Sequence, residues 1–169
     1  MTLKTYKLHF LVFIFAGILE TGCYSFKDVS IPPEVKTVRV QYIENRAQIV
    51  NPQLSQRLTD KVRQKIINQT RLVQVNNEEA HYDISGRITD YFVTTSGISG
   101  QQAASNRLNV TVHLIFTNRL DERKNFEADL NRTFDFSASL TLNQAENQLT
   151  DLIVQNLTDE IFNRIFSNW

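Results

Sequence analysis

Leu108-Asn109-Val110-Thr111-Val112-His113-Leu114-Ile115-Phe116 places an apolar side chain at every second position. A period of two is strand geometry, because successive side chains of a strand point to opposite faces. Leu108, Val110, Val112, Leu114 and Phe116 therefore share one face, with Asn109, Thr111, His113 and Thr117 on the other. The same alternation recurs on both sides of this stretch. Tyr82, Ile84, Gly86 and Ile88 share a face of an earlier strand. Phe126, Ala128, Leu130, Phe134 and Phe136 share a face of a later one, opposed by Glu127, Asp129, Asn131, Thr133 and Asp135. Such clean alternation points to an antiparallel sheet with one covered and one polar face. Val38, Val40 and Tyr42 mark a further strand, and Arg71 to Val75 a short one.

Two helices supply the cover. Asn51-Pro52 combines an N-cap residue with a first-turn proline. Leu54, Leu58, Val62 and Ile66 follow at four-residue spacing as one apolar stripe. The second helix is predicted from Asn143 to Phe166, with Ala145, Leu149, Leu152, Ile153, Leu157, Ile161 and Ile165 facing inward. The expected fold class is α+β: two helices packed on one face of a mixed, mostly antiparallel four-stranded sheet, plus one short strand. Glu44 to Val50 is expected to be a connector and Leu120 to Asn125 a charged turn. Thr94 to Arg107, with Gly97, Gly100 and Gln101-Gln102, is expected to be a long loop of the functional or mobile kind.

The chain opens as an export signal. Lys4 and Lys7 precede an apolar run from Leu8 to Leu19, and Gly22-Cys23 closes it. The run is too short for a spanning helix, which needs about 20 residues. The only cysteine stands directly after a small residue, an arrangement that resembles a bacterial lipobox. Glu20 departs from that pattern, since leucine is usual three residues before the cysteine. The expected organisation is a lipoprotein signal peptide over residues 1–22, a lipidated tether over 23–34 containing Pro32-Pro33, and one α+β domain over 35–169. Cleavage falls between Gly22 and Cys23, and Cys23 is the expected lipid anchor. Several acyl chains hold stably where a single one binds only marginally.

Composition narrows the chemistry. Loss of the leader removes Lys4, Lys7 and Glu20 from 18 basic and 18 acidic residues, which leaves an excess of one acid. That balance gives no electrostatic footprint for nucleic acid. A single cysteine allows neither an internal disulfide nor a thiolate metal site. His81 and His113 have no acid or cysteine at ligand spacing, and no nucleophile elbow or phosphate-cradling glycine loop occurs. Neither an active site, a metal nor a cofactor is expected. Four Asn-x-Ser/Thr sequons, at Asn68, Asn109, Asn131 and Asn156, follow from the richness in asparagine and threonine. Two polar surfaces remain as candidates for contact. One is the basic helix flank of Arg57, Lys61 and Lys65, continued by Arg63 and Arg71, with Gln101 in the long connection; a solvated face balanced by acids such as Asp60 is the plainer account of it. The other is the polar sheet face, assigned Arg87, Thr89, Thr111, His113 and Arg132.

The lipobox, Val38-Arg39-Val40-Gln41-Tyr42-Ile43-Glu44-Asn45, the helix through Leu54 and Leu58, Ala80-His81-Tyr82-Asp83-Ile84-Ser85-Gly86 and the closing helix together resemble the LptE family, in its Bacteroidetes branch. The resemblance implies an outer-membrane lipoprotein facing the periplasm that plugs the lumen of the LptD β-barrel. It further implies support for barrel assembly and for lipopolysaccharide transport to the cell surface. The alternative is an envelope lipoprotein of the penicillin-binding-protein-activator or curli-secretion type. Such proteins share a strand–helix start and a strand like Ala80 to Gly86.

Overall fold

The structure is a computed structural model that describes residues 31–99 and 102–167. Strands β1 (Thr37–Val40) and β2 (Glu44–Asn45) lead into helix α1 (Pro52–Gln69). Then come β3 (Val73–Gln74), β4 (Tyr82–Ser99), β5 (Gln102–Asn118), a 3-10 turn at Glu122–Lys124, β6 (Phe126–Ser137) and helix α2 (Leu142–Phe166). The sheet order is β3-β1-β4-β5-β6, with β2 also on β4. β1 runs parallel to β3 and β4, and β2 runs parallel to β4. β4, β5 and β6 form an antiparallel meander. This is the expected α+β architecture, its four longer strands extended by two strands of two residues each.

Both helices lie on one face of the sheet. Leu108, Val110, Val112, Leu114 and Phe116 are all buried there, with Val38, Val40, Ile84, Ile88, Leu130 and Phe134 beside them. Leu54, Leu58, Val62 and Ile66 of α1 and Ile153, Leu157 and Ile161 of α2 close the core from above. One position departs from the expected helical stripe. Leu152 is 48% exposed, and Val154, Phe162 and Phe166 are buried instead.

Helix starts follow local chemistry. The Asn51 side chain accepts from the amides of Gln53 and Leu54, and Pro52 occupies the first turn where no amide is needed. Thr141 and Gln144 form a reciprocal capping box at the start of α2. Buried Thr59 ties the sheet to α1, accepting from the Ile43 amide at 3.0 Å while donating to the Ser55 carbonyl at 2.7 Å. The two helices run in the same direction. Tyr91, buried in β4, anchors the ends where they begin by donating to Glu146 of α2 at 2.7 Å. Burial, then the Glu146 hydrogen bond and charge, push its phenol up against an opposing Asn51 contact. At the opposite end aromatic rings meet in a row, Phe126 to Phe116 to Tyr82 to Phe166 to Phe162, with Tyr82 edge-on to Phe116 at 5.0 Å.

The connection expected over Thr94 to Arg107 is not a loop. β4 and β5 continue through it as one hairpin, paired from Tyr82↔Asn118 to Ser99↔Gln102. β6 stops at Ser137↔Ser105 and β2 stops at Asn45↔Ile88, so the end of the hairpin projects past its neighbours as a two-stranded arm. Glycine and serine had suggested a loop, yet a ribbon solvated on both faces needs no apolar alternation. A register shift between Ile88 and Asp90 passes the buried parity from Ile88 to Tyr91 at the base of the arm.

Gly86 sits where β4 and β5 approach closely. A Cβ there would lie 2.7 Å from the His113 carbonyl oxygen, and that oxygen belongs to a paired backbone. A Cβ at Gly97 would meet only the movable Ser105 hydroxyl, at 2.6 Å. Gly86→Ala is expected to destabilise the domain by about 1–3 kcal/mol, and Gly97→Ala by less than half as much. Urea unfolding of both variants measures the difference, and equal losses would contradict the close-approach account.

Candidate functional site

Arg57, Lys61 and Lys65 do come together, but not as a free basic surface. They line an open groove of about 870 Å³ between α1 and α2. Each cation at the ends of the row has an acid across the groove. Arg57 pairs with Asp151, and Lys65 Nζ lies 2.7 Å from Asp159 and 5.0 Å from the centre of the Phe162 ring. Both pairs have the same sequence offset, so they mark one register of two helices running in parallel. Asp60, the expected counter-charge, is turned along its own helix, accepting from Gln56 at 2.6 Å with Arg63 3.6 Å away. Arg63 also donates to the Val40 carbonyl at 2.8 Å, and Arg71 donates to the Ile31 carbonyl. The continuation of the basic flank therefore holds backbone in place rather than facing a ligand. Gln101, Gly22 and Cys23 lie outside the described residues.

The sheet face away from the helices carries a second set of polar contacts. Arg39 grips Asp83 at 2.6 and 3.0 Å, and Gln41 donates to both oxygens of the same carboxylate at 3.1 Å. His113 stands between two acids of β6, Nδ1 at 2.7 Å from Asp129 and Nε2 at 3.2 Å from Glu127. Thr111 accepts from Asn131 at 3.0 Å. Arg107 and Asp135 pair across β5 and β6 at 2.7 Å. Arg132 does not belong to this face. It shares the inward parity of Leu130 and Phe134 and reaches Glu160 on α2. An inward-pointing charge in the middle of an edge strand guards that edge against unwanted pairing.

The two histidines among the described residues do not converge. His81 accepts from the Lys36 amide at 3.0 Å where β1 begins, whereas His113 belongs to the outer sheet face. Among the described residues no group of three or more His, Cys, Asp or Glu side chains is arranged to hold a metal. The geometry offers surfaces and a groove rather than a set of reacting groups.

Comparison with known proteins fits this geometry. The profile of the LptE family, described as lipopolysaccharide-assembly, matches residues 35–165. The chain belongs to that family. Membership makes it a lipopolysaccharide-assembly lipoprotein of a non-enzymatic kind. No curated protein matches the chain. Among solved structures it is similar to a minor lipoprotein of Acinetobacter baumannii, at 18% identity and a TM-score of 0.53, covering 79% of this chain and 94% of the other. It is also similar to a hypothetical protein of Chlamydia trachomatis, at 11% identity and a TM-score of 0.52, covering 77% and 95%. A protein of Xanthomonas campestris matches at 10% identity and a TM-score of 0.54, covering 80% and 88%. At such identities these likenesses speak for the fold alone. The family's two-helix sheet thus carries here a groove closed by its own ion pairs and a projecting arm.

The Arg39–Asp83–Gln41 contact predicts a specific acid response. Burial raises the Asp83 carboxyl, but the Arg39 and Gln41 hydrogen bonds and the Arg39 charge outweigh it, and the net shift is below the ordinary value of 3.8. A depressed carboxyl contributes stability above its unfolded value that disappears as pH falls through its folded one. Asp83→Asn is therefore expected to be less stable than the parent at pH 7. The gap should narrow below about pH 4. Unfolding curves from pH 7 to pH 2.5 test this, and a gap independent of pH would refute it.

Proposed function

We propose that the chain is an outer-membrane lipoprotein, lipid-anchored at Cys23 and facing the periplasm, that seats in the lumen of an LptD-type β-barrel. There it supports barrel assembly and the passage of lipopolysaccharide to the cell surface. The observation that carries this reading, beside the family, is the polarity of the domain. The described chain enters at Ile31, against Arg71 at the far end of α1, and the arm projects from the other end of the same sheet. β4 alone spans Tyr82–Ser99, about 55 Å at 3.3 Å per residue. A bilayer with its headgroups is about 40–45 Å thick. Set along a barrel axis, the β4–β5 hairpin as a whole is therefore longer than the membrane is thick.

The arm suits such a position. No charged residue occurs from Tyr91 through Asn106. A ribbon without charges can sit against a barrel wall or loop without burying an unpaired charge. The Arg57, Lys61 and Lys65 flank, together with Gln101, forms the contact surface for barrel or lipopolysaccharide in this reading.

Two experiments test it. Cys23→Ala is expected to abolish acyl labelling and release the protein from the membrane fraction; acyl labelling that persists in the variant refutes the anchor. Photocrosslinking side chains at Gln101 and Asn106 are expected to trap a large outer-membrane barrel in cells. Capture of a peptidoglycan synthase in its place would favour the activator-type alternative, and no barrel adduct from either position refutes the plug.

A further inference from the structure

The free edges of the sheet are not alike. β3 ends one side with only two residues, and β6 carries the inward Arg132; both are ways of blunting an edge. The upper part of β4 has neither. β1 and β2 pair with β4 only as far as Ile88. Beyond it, residues 90–95 run in unbroken register with residues 106–111 of β5, between the shifts at Ile88/Asp90 and Thr95/Gly97. That run contains neither lysine nor proline. Among the described residues no strand pairs with it on the side away from β5.

Main-chain groups of the run face that open side. Ile84 and Ile88 turn their carbonyls away from β5, to the amides of Gln41 and Arg46 at 2.8 and 2.9 Å. Past the shift, the parity that passes from Ile88 to Tyr91 gives the same place to Tyr91, Val93 and Thr95. Apolar side chains flank the line of the sheet that β2 leaves at Arg46. Phe92, 45% exposed, stands on the outer sheet face opposite Asn109. Ile49 and Val50, 43% and 56% exposed, lead into Asn51, whose side chain contacts the Tyr91 phenol. They therefore stand by the same edge on the helix side.

We propose that the β4 edge at residues 90–95 is a strand-addition site, filled by an uncharged extended segment of the barrel partner with apolar residues beside Ile49, Val50 and Phe92. The proposal rests on the plug reading above and gives it a mode of contact. An added strand gains affinity from main-chain hydrogen bonds and specificity from the places that take its alternate side chains. The length of the open run is that of an ordinary strand. It is continuous with the arm that the plug reading sets against the barrel. From Tyr91 through Asn106 the arm offers no charge, so a charge on the incoming segment would be buried without a partner. An uncharged segment meets no such cost.

The test uses the full chain in cells, with photocrosslinking side chains at Val50 and Phe92 beside those at Gln101 and Asn106. Val50 and Phe92 are expected to trap the barrel, and mass spectrometry of the adducts should place both on one uncharged extended segment. Thr95, exposed on the open edge, separates main-chain from side-chain contact. Thr95→Ala should leave co-purification of the barrel unchanged. Thr95→Pro, which removes the edge amide, should lower it roughly tenfold. The double variant Val50→Ser/Phe92→Ser leaves the main chain untouched and should lower the yield likewise; an unchanged yield from it overturns the proposal. Barrel adducts from Gln101 or Asn106 with none from Val50 and Phe92 overturn strand addition and leave the plug standing. No barrel adduct from any of the four overturns both. Val50 and Phe92 adducts between two copies of this chain, or equal yields from Thr95→Ala and Thr95→Pro, also overturn the proposal.

Discussion

Pairing of β4 with β5 is the constraint on which the rest of the molecule depends. It runs from Tyr82↔Asn118 to Ser99↔Gln102, and every other strand attaches to one of these two, apart from β3, which hangs on β1. A one-residue slip would turn Leu108, Val110, Val112, Leu114 and Phe116 toward water, because side chains alternate between faces. With them would go the surface on which α1 and α2 rest. Fixing this register requires Gly86, since no side chain fits beneath the His113 carbonyl. It also requires the shift between Ile88 and Asp90, which brings Tyr91 inward where both helices begin. The hairpin is thus both the spine of the core and, beyond β6, the arm that leaves it.

Covering one face with helices makes the two remaining surfaces chemically different. The outer sheet face is a lattice of cross-strand pairs in which charges largely answer one another, as Arg39 does Asp83 and Arg107 does Asp135. An exposed pair such as Arg107–Asp135 contributes only a few tenths to about 1 kcal/mol. Their effect is to keep the face soluble and without a strong field. The helix layer is different because its ion pairs set a geometry. Arg57–Asp151 and Lys65–Asp159 hold two parallel helices in one register, and that register decides what each intervening side chain faces.

The core was legible in the sequence because burial on one side writes a periodic pattern. The strand faces of β5 and β6, the Asn51-Pro52 start and the four-residue stripe of α1 all follow from period and local chemistry. Where solvent lies on both sides no such pattern exists, and Thr94 to Arg107 read as a loop although it is paired backbone. Arg132 was assigned to the polar face by residue type, whereas its position between Leu130 and Phe134 puts it inward; parity was the better guide than charge. Leu152 fits a helical stripe by spacing, but it stands at the rim of a stripe that α2 centres on Ile153, Leu157 and Ile161. The acids that answer Arg57 and Lys65 come from a helix far away in sequence. No local pattern reports such a pairing, and so the basic flank was visible as a row of cations but not as one wall of a groove.

A groove lined by Arg57, Lys61 and Lys65 together with Asp60, Asp151 and Asp159 is a different object from a basic patch. In a patch, each charge is free to meet a ligand, and the response to salt or mutation is spread over all of them. Here the outer two cations are committed to holding the helices, so a ligand competes for them only at the expense of the helix register. The middle one is committed to nothing. Lys61 stands between them with Asp60 in the same lining, and the groove carries no net charge. Replacing Gln155 by an acid would set a carboxylate at the position the shared offset places opposite Lys61 and add a third rung to the ladder.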